Sequence, residues 1–214
     1  MLAIALGYAM LMLFACLLHG LSQQMIDNGT RLGLAHMQIH APEYYPDRSL
    51  YQTLGGRTGS TLEDLLTTLT THPQVLAAAP RVYGYGLVSG GNHSAGAELL
   101  GIAPAREQLI SSFHTRLSRG RFLNEPNLAN LASINAEDGK DSTNGTNEVV
   151  LGEKLANAIA ADLDSEIVLV TQAADGSIGN DVYTVVGILR TGFEATDRGL
   201  VLLPLSTAQA LFSL

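Results

Sequence analysis

Few side chains in this sequence have the types and spacing that chemistry requires. His36 and His40 form the most suggestive metal-binding pair, because they would lie on the same face of a predicted strand with Gln38 between them. Residues four positions apart in a strand are separated by about 13 Å along the chain, which is too far for both to ligate one metal ion. The spacing therefore favours a polar strand face over a metal site.

Carboxylates that could act as an acid and base pair are close neighbours in the sequence. The three pairs are Glu63-Asp64, Glu137-Asp138 and Asp162-Asp164. Sequence neighbours point in different directions on a helix or strand, so none of these pairs forms an acid/base dyad by itself. The first pair is better explained by a helix N-terminus, where negative charge is favoured.

The sequence contains none of the short motifs that mark common catalytic or nucleotide-binding sites. GxxxxGK[ST], GxSxG and HExxH are all absent. The single cysteine, Cys16, lies in an apolar run, where a nucleophile would lack both water and a base. We therefore predict that the chain is not an enzyme, that it binds no metal or cofactor, and that any ATP is bound by a partner subunit.

The composition argues against nucleic-acid binding. The 214 residues include 12 Lys and Arg against 20 Asp and Glu, a net charge of −8, and only 15% of them are charged. Phosphate contacts require clustered cations. The one basic cluster, Arg116, Arg119 and Arg121, could grip an anionic partner, but its setting in HTRLSRGR favours a solvated turn whose arginines pair with acidic side chains.

The elements that would position any site begin with an apolar run at residues 1–18, which is close to the roughly 20 apolar residues that a membrane-spanning helix needs. A signal peptide would carry basic residues before this run, but the first Lys or Arg is Arg31. A lipoprotein signal is a further alternative, with Cys16 as the acylated residue. We interpret the run as a membrane anchor, and because no cation precedes it we expect the sequence to begin partway through a membrane segment of a longer chain.

The apolar pattern continues beyond this run at roughly helical spacing through Leu18, Leu21, Met25 and Leu32. It predicts one helix that leaves the membrane and continues as a stalk. At Gly33 the pattern changes, and residues 36–40 alternate with period two, which predicts a short strand.

The rest of the chain mixes short helices and strands without regular βαβ alternation, which predicts an α+β fold. Ser60 and Glu63 form a capping-box pattern at the start of a helix that ends at His72-Pro73. Strands are predicted at residues 75–88, 97–102, 166–171, 182–189 and 200–203, and further helices after Pro104, at residues 152–161 and after Pro204. Residues 124–147 are polar and rich in asparagine, which predicts an exposed loop.

Six stretches, taken in order, resemble the periplasmic domains of the lipoprotein-releasing permeases and of MacB-type ABC exporters. They are GLSQQMIDNGTRLGLAHMQIHAPEY (residues 20–44), GIAP (101–104), SRGRFL (118–123), EVVLGEKLANAIAADL (148–163), YTVVGILRTG (183–192) and DRGLVLLPLSTAQALF (197–212). The first stretch is closest to the lipoprotein-releasing branch. Each motif is weakly specific alone, and their shared order over nearly the whole chain carries the resemblance.

The resemblance implies a transmembrane and stalk helix at residues 1–35, followed by a MacB-like periplasmic domain in two parts. A porter-like α/β subdomain would comprise residues 36–123 and 198–214, and a smaller β-rich subdomain residues 124–197 with the polar insertion. The family further implies an inner-membrane protein with the bulk of this chain in the periplasm. The implied partners are a cytoplasmic ABC ATPase, a second permease copy or a related permease, a lipoprotein substrate, a periplasmic chaperone and membrane lipid.

Two features depart from the family pattern. The segment from Asp164 to Ile167 stands where members often have Gly-Asp leading into a strand, and residues 124–147 form a longer segment than is usual. The family would also continue beyond Leu214 through a second stalk and further membrane helices, so we expect this sequence to be part of a longer chain.

The leading hypothesis is a permease subunit whose periplasmic domain couples ATP hydrolysis by a partner to lipoprotein release or to export of a hydrophobic envelope substrate. Residues 22–37 are the predicted transmission segment, one stiff helix. Its predicted stalk positions are Leu21, Met25, Asp27, Arg31 and Leu32. The alternative is a secreted or lipid-anchored periplasmic binding module with Cys16 as the anchor, and a third hypothesis is a periplasmic hydrolase for which no catalytic residues can be aligned.

Overall fold

The computed structural model describes residues 2–42, 44, 50, 52–54, 61–124 and 147–214. The chain falls into two compact units, Met1–Gln38 and Ile39–Leu214. The first unit contains a long helix, and the second contains every strand that is described. Most of the predicted loop at residues 124–147, together with Glu137-Asp138, lies outside the described residues.

The mixture of helices and strands confirms the predicted α+β class. The helices are α1 (Leu2–Gly29), which continues into a π turn (Thr30–Leu34), α2 (Leu62–Thr71), α3 (Pro104–Ile110), a 3-10 turn (Phe113–Arg116), α4 (Glu153–Ala158), α5 (Glu194–Gly199) and α6 (Leu205–Phe212). The described strands are β1 (Arg81–Gly90), β2 (His93–Ile102), β3 (Leu117–Gly120), β4 (Glu148–Gly152), β5 (Glu166–Gln172), β6 (Ile178–Leu189) and β7 (Leu200–Pro204). The sequence patterns did not predict α5.

The N-cap of helix α2 is Thr61, one residue after the predicted cap Ser60. The backbone N–H of Asp64 donates to the Thr61 hydroxyl at 3.1 Å, and that hydroxyl donates to an Asp64 carboxylate oxygen at 2.7 Å. The predicted cap, Ser60 with Glu63, is therefore wrong, because Thr61 and Asp64 provide the same spacing one position further along. The helix ends at Thr71, directly before His72-Pro73, as the sequence predicts.

Prolines and glycines explain several other boundaries. Pro104 occupies the first turn of α3, and α6 begins directly after Pro204. Strand β1 begins at Arg81 and not at the predicted residue 75, since Pro80 has no N–H to donate to a neighbouring strand. The hairpin between β1 and β2 is confirmed and is tight: Gly90 pairs with His93 across a two-residue turn whose first residue, Gly91, has φ +57°.

The described strands form one sheet in the order β3-β6-β4-β7-β2-β1-β5. Strand β5 also pairs with β6, so the six strands β6-β4-β7-β2-β1-β5 close into a ring. The β2–β7 and β4–β6 pairs are parallel, and the other pairs are antiparallel. Closing the ring gives each of these six strands a neighbour on both sides over part of its length, which reduces the open edges at which sheets aggregate.

This ring does not follow the two predicted subdomains. Strands β1, β2, β3 and β7 come from the residues assigned to the porter-like part, whereas β4, β5 and β6 come from residues 124–197. Yet β4 lies between β6 and β7, and β5 pairs with β1. Because hydrogen-bonded neighbours share one sheet, the boundaries at residues 124 and 197 do not separate two cores among the described residues, and Ile39–Leu214 is one compact unit.

The hydrophobic core lies on one face of this sheet and is completed by α4 and α6. Its central strand residues are Leu99, Leu151 and Val201, which are neighbours in the register of β2, β4 and β7 and are fully buried. Leu155 and Ile159 in and beside α4 are also fully buried. The leucines of α2, by contrast, are only half-buried, and none of that helix's residues is buried.

A buried ion pair connects β1 to α3. The Arg81 guanidinium donates from Nη2 to Glu107 Oε1 at 2.6 Å and from Nε to Oε2 at 3.1 Å, and the two side chains are 9% and 0% exposed. Arg81 Nη1 also donates to the Tyr83 hydroxyl at 3.0 Å. Burial lowers the pKa of Arg81, but the hydrogen bond and negative charge of Glu107 outweigh burial, so the pKa is raised above its ordinary value. The guanidinium therefore remains charged inside the protein.

Tyr183 makes folding sensitive to alkaline pH. Its side chain is buried in the core, and burial together with the charge of Asp181 raises the pKa of its phenol. The unfolded chain loses this proton near pH 10, whereas the folded chain retains it to higher pH. The stabilisation is therefore complete below about pH 10 and is lost as the pH rises through the folded-state pKa.

We therefore expect the melting temperature of the wild type to fall above about pH 10 more steeply than that of Tyr183→Phe. Circular dichroism melts of the full chain at a series of alkaline pH values measure this difference. Tyr85→Phe is the matched control, because Tyr85 is 62% exposed. Equal slopes for the wild type and Tyr183→Phe would contradict the prediction.

Candidate functional site

Helix α1 carries apolar side chains that no described residue covers. A segment of 30 residues, Ala3–Leu32, has the length and composition of a helix that crosses a membrane, and its most apolar window is 0% buried. Ile4, Met10 and Met25 are each more than 70% exposed. A signal sequence has the same length and composition, so both remain compatible with this helix.

The predicted stalk positions all lie on this continuous helix. Leu21 and Met25 are one turn apart on one face, and they are 50% and 73% exposed. Arg31 is exposed, and Leu32 is only 7% exposed. Asp27 lies in the last two turns of α1, and its side chain is outside the described residues. The structure therefore places Leu21, Met25 and Asp27 on α1 and Arg31 and Leu32 on the π turn that continues it, so the positions lie along the segment and do not form a cluster.

The predicted stiff helix at residues 22–37 is shorter and less regular than expected. Helix α1 ends at Gly29, and the π turn that follows it ends at Leu34. The backbone N–H of Ala35 donates to the carbonyl of Thr30 at 3.0 Å, a bond five residues back instead of four. Ala35 then has φ 55° and ψ −171°, a conformation that directs the chain out of the helix.

The segment after this turn is not the predicted strand. Residues 36–40 have no ladder partner among the described strands, so the strand prediction is wrong. The alternation of His36, Gln38 and His40 does not establish a strand, because a strand also needs a neighbouring strand for its backbone hydrogen bonds. The ring of His40 instead stacks on Tyr44, with the ring centres 4.6 Å apart and the planes within 2°.

The basic cluster is largely paired with carboxylates, as predicted. Arg119 contacts Asp162 at 2.8 Å, and Arg121 forms a two-point pair with Glu148. The pKa of Asp162 is lowered first by the backbone N–H of Leu163 and then by Arg119. The hydrogen bond that Arg121 donates to Glu148 is the largest influence on the pKa of Arg121 and raises it. These pairs use the charge within the fold, so the cluster is a poor candidate for an anion site.

One member of each described carboxylate pair has a structural partner. Asp64 completes the cap of α2, and Asp162 accepts from the N–H of Leu163 at 2.7 Å as well as pairing with Arg119. Asp197, which sequence analysis did not single out, is 5% exposed and accepts from the N–H and hydroxyl of Thr191, both at 2.7 Å. It holds the turn after β6 in place.

The feature that sequence analysis missed is the π turn at the end of α1. Gly29 and Gly33, four residues apart, bracket the place where the helical ladder changes. Glycine lowers α-helical propensity, so this spacing is the one local signal that could have indicated the change. The candidate functional site is therefore the membrane-proximal helix with its exit through this turn.

Comparisons with known proteins extend over nearly the whole chain. The family model of the MacB-like periplasmic core domain matches residues 1–213. The lipoprotein-releasing system transmembrane protein LolC of Neisseria meningitidis is 23% identical over 216 residues, covering 99% of this chain and 45% of the relative. Its namesake in Xylella fastidiosa is 26% identical over 219 residues, covering 98% and 44%. The chain thus spans less than half the length of these relatives.

Two solved structures are similar at a lower level. The extracellular domain of the ABC-type transporter YknZ from Gram-positive bacteria has a TM-score of 0.48 and 14% identity, covering 71% of this chain and 66% of that one. A domain of a permease protein from Porphyromonas gingivalis has a TM-score of 0.38 and 14% identity, covering 69% and 54%. The assignment rests on the family model and not on these two structures. Because that model matches the chain from end to end, the chain belongs to the MacB-like periplasmic core domain family.

Proposed function

We propose that this chain is a membrane helix and the periplasmic domain of an ABC transporter permease subunit, located in the bacterial inner membrane with its folded body in the periplasm. The observation that carries the proposal is the family match over residues 1–213. Helix α1 supports it, because an exposed apolar helix of this length is stable in a bilayer and not in water.

The proposed substrate is a lipoprotein or another hydrophobic envelope molecule. Support comes from two relatives, both of which are named as transmembrane proteins of a lipoprotein-releasing system. The sequence lacks a GxxxxGK[ST] loop, so the proposal assigns ATP binding to a cytoplasmic ATPase partner. A second permease copy or a related permease would complete the transporter, and a periplasmic chaperone would receive a released lipoprotein.

The proposed role of helix α1 beyond the membrane is mechanical transmission. Leu21, Met25, Asp27, Arg31 and Leu32 are the positions along which movement would pass. A helix suits this role because its backbone hydrogen bonds make it stiff along its axis. No group on this chain would need to react with a substrate for the role to be fulfilled.

The test is to purify the full-length protein from detergent-solubilised membranes by an affinity tag and to identify what co-purifies by mass spectrometry. We expect a Walker-type ATPase in stoichiometric amount. An unrelated tagged inner-membrane protein, purified in the same way, is the control for nonspecific recovery. A protein recovered without an ATPase would contradict the permease proposal.

The same preparation tests the alternative of a lipid-anchored binding module. Cys16 is exposed on α1, so an acyl chain at this position would be detectable by metabolic labelling with a fatty acid. Label that is present in the wild type and absent in Cys16→Ala, without a co-purifying ATPase, would establish the alternative. Absence of label in the wild type would exclude a binding module anchored by a lipid at Cys16.

A further inference from the structure

The turn at which α1 ends combines three features that lower the difference in free energy between two backbone arrangements. The first is the π turn itself. The Ala35 N–H donates to the Thr30 carbonyl, five residues back, so this turn holds one residue more than a regular α-helical turn. Such insertions are frequently found at functional sites in helices.

The second feature is the side chain of Thr30. Its hydroxyl donates to the carbonyl of Ile26 at 2.9 Å, four residues back. A threonine that bonds in this way gives the helical carbonyl a second donor and often bends the helix. The bond therefore disfavours a regular α-helix at the position where the spacing of the ladder changes, and so favours the π turn.

The third feature is backbone strain at Ala35, directly after the turn. Its φ of 55° with ψ −171° lies in a region that is almost restricted to glycine. Strain of this kind opposes the observed arrangement, whereas the Thr30 hydroxyl bond favours it. The strain at Ala35 and the Thr30 hydroxyl bond thus act in opposite directions on the free energy of the π turn. A small perturbation can therefore shift the equilibrium between the π turn and a regular α-helical turn.

Gly29 has no steric need for glycine and is a control position for the joint. Its backbone is in the ordinary right-handed helical region, and a Cβ there would meet nothing within 4 Å. Because Gly29 is already helical in the observed arrangement, alanine at this position stabilises both arrangements alike and does not decide between them.

We propose that residues 29–35 form a two-state joint, in which the chain alternates between the π turn and a regular α-helical turn. Converting the π turn to a regular α-helical turn shifts the helical register by one residue. This shift rotates the segment directly after the turn by about 100° around the helix axis. This inference rests on the proposed transmission role of α1. The joint would convert a displacement of the membrane helix into a rotation of the segment that leads to the folded body.

The experiment measures the geometry of the joint in the full-length protein, reconstituted in lipid vesicles. Cys16 is exposed, and Met37, which is 80% exposed, is replaced by cysteine, so that two spin labels flank the joint at about 30 Å. Any cysteines outside this chain are replaced by serine. Labelled protein is diluted with unlabelled, cysteine-free protein to remove distances between copies.

Two variants displace the balance in known directions. Ala35→Gly removes the backbone strain and should increase the π population, whereas Thr30→Val favours the regular helix and should decrease it. We expect Ala35→Gly to change the ratio of the two distance populations at least about fivefold, and Gly29→Ala to leave it unchanged. Gly20→Ala is the matched control, because it makes the same replacement in α1 with nothing within 4 Å.

The result that would overturn the joint is a distance distribution that is the same in wild type, Ala35→Gly and Thr30→Val. ATP hydrolysis by the co-purified complex and its coupling to substrate release, measured on the same variants, separate this inference from the proposed function. Shifted distances with unchanged coupling leave the joint standing and remove the transmission role. Unchanged distances with lost coupling remove the joint and leave transmission standing.

Discussion

Glu107→Gln is expected to lower the free energy of unfolding by about 3–5 kcal/mol. Glu107 is fully buried and binds the Arg81 guanidinium through both carboxylate oxygens. Glutamine has nearly the same size but no charge, and it presents an N–H₂ group to a guanidinium that can only donate. Because Arg81 cannot lose its proton, the variant leaves a cation buried without its counter-charge.

Urea unfolding of the full chain in detergent, followed by circular dichroism, measures this loss. Glu194→Gln is the matched control, since it breaks exposed pairs with Arg198, one helical turn away, and with Lys154, and its cost should be much smaller. The double variant Arg81→Met with Glu107→Leu should recover most of the lost stability, because it removes both buried charges. A Glu107→Gln protein as stable as Glu194→Gln would show that the buried pair does not hold β1 to α3.

Gly101→Ala is expected to lower the free energy of unfolding by about 1–3 kcal/mol. Gly101 lies in β2, and a Cβ at this position would be 2.4 Å from the Cβ of Ala208 in α6. Neither atom is at the end of a flexible side chain, so the helix or the strand must move. Ala208 belongs to the hydrophobic core, and moving α6 would disturb the packing of its neighbour Phe212.

Gly96→Ala provides the control within the same strand. A Cβ at Gly96 would meet nothing within 4 Å, so alanine there should be neutral or should stabilise the fold by about 0.5–1 kcal/mol. The double variant Gly101→Ala with Ala208→Gly restores the space between β2 and α6. The loss in free energy of unfolding of this double variant should be smaller than the sum of the losses of the two single variants. Strict additivity of the two losses would contradict the proposed contact.

Features that depend on neighbouring residues could be predicted from the sequence alone. The stalk helix beyond residue 18, the hairpin of β1 and β2, and the helix starts at Pro104 and Pro204 all follow from local periodicity or from backbone geometry. These signals are local because side-chain direction repeats every 3.6 residues in a helix and every two in a strand. The resemblance of six ordered motifs indicated the family that the family model then established.

Where local patterns are short, the sequence misplaced the boundaries of elements or predicted an element that does not form. The cap of α2 lies at Thr61 and not at Ser60, and β1 begins at Arg81 and not at residue 75. The period-two pattern at residues 36–40 predicted a strand that does not form, because alternation fixes a face only when a partner strand supplies the hydrogen bonds.

The tertiary structure alone decided which distant segments meet. The ring closed by β5 and β6 mixes strands from both predicted subdomains, and the partners Arg81 with Glu107 and Gly101 with Ala208 are far apart in the sequence. Such contacts depend on how complete elements pack against each other, which no local periodicity records. The sequence by itself thus determined a long apolar helix followed by an α+β body, whereas packing decided how that body closes, since this depends on free-energy differences summed over many contacts.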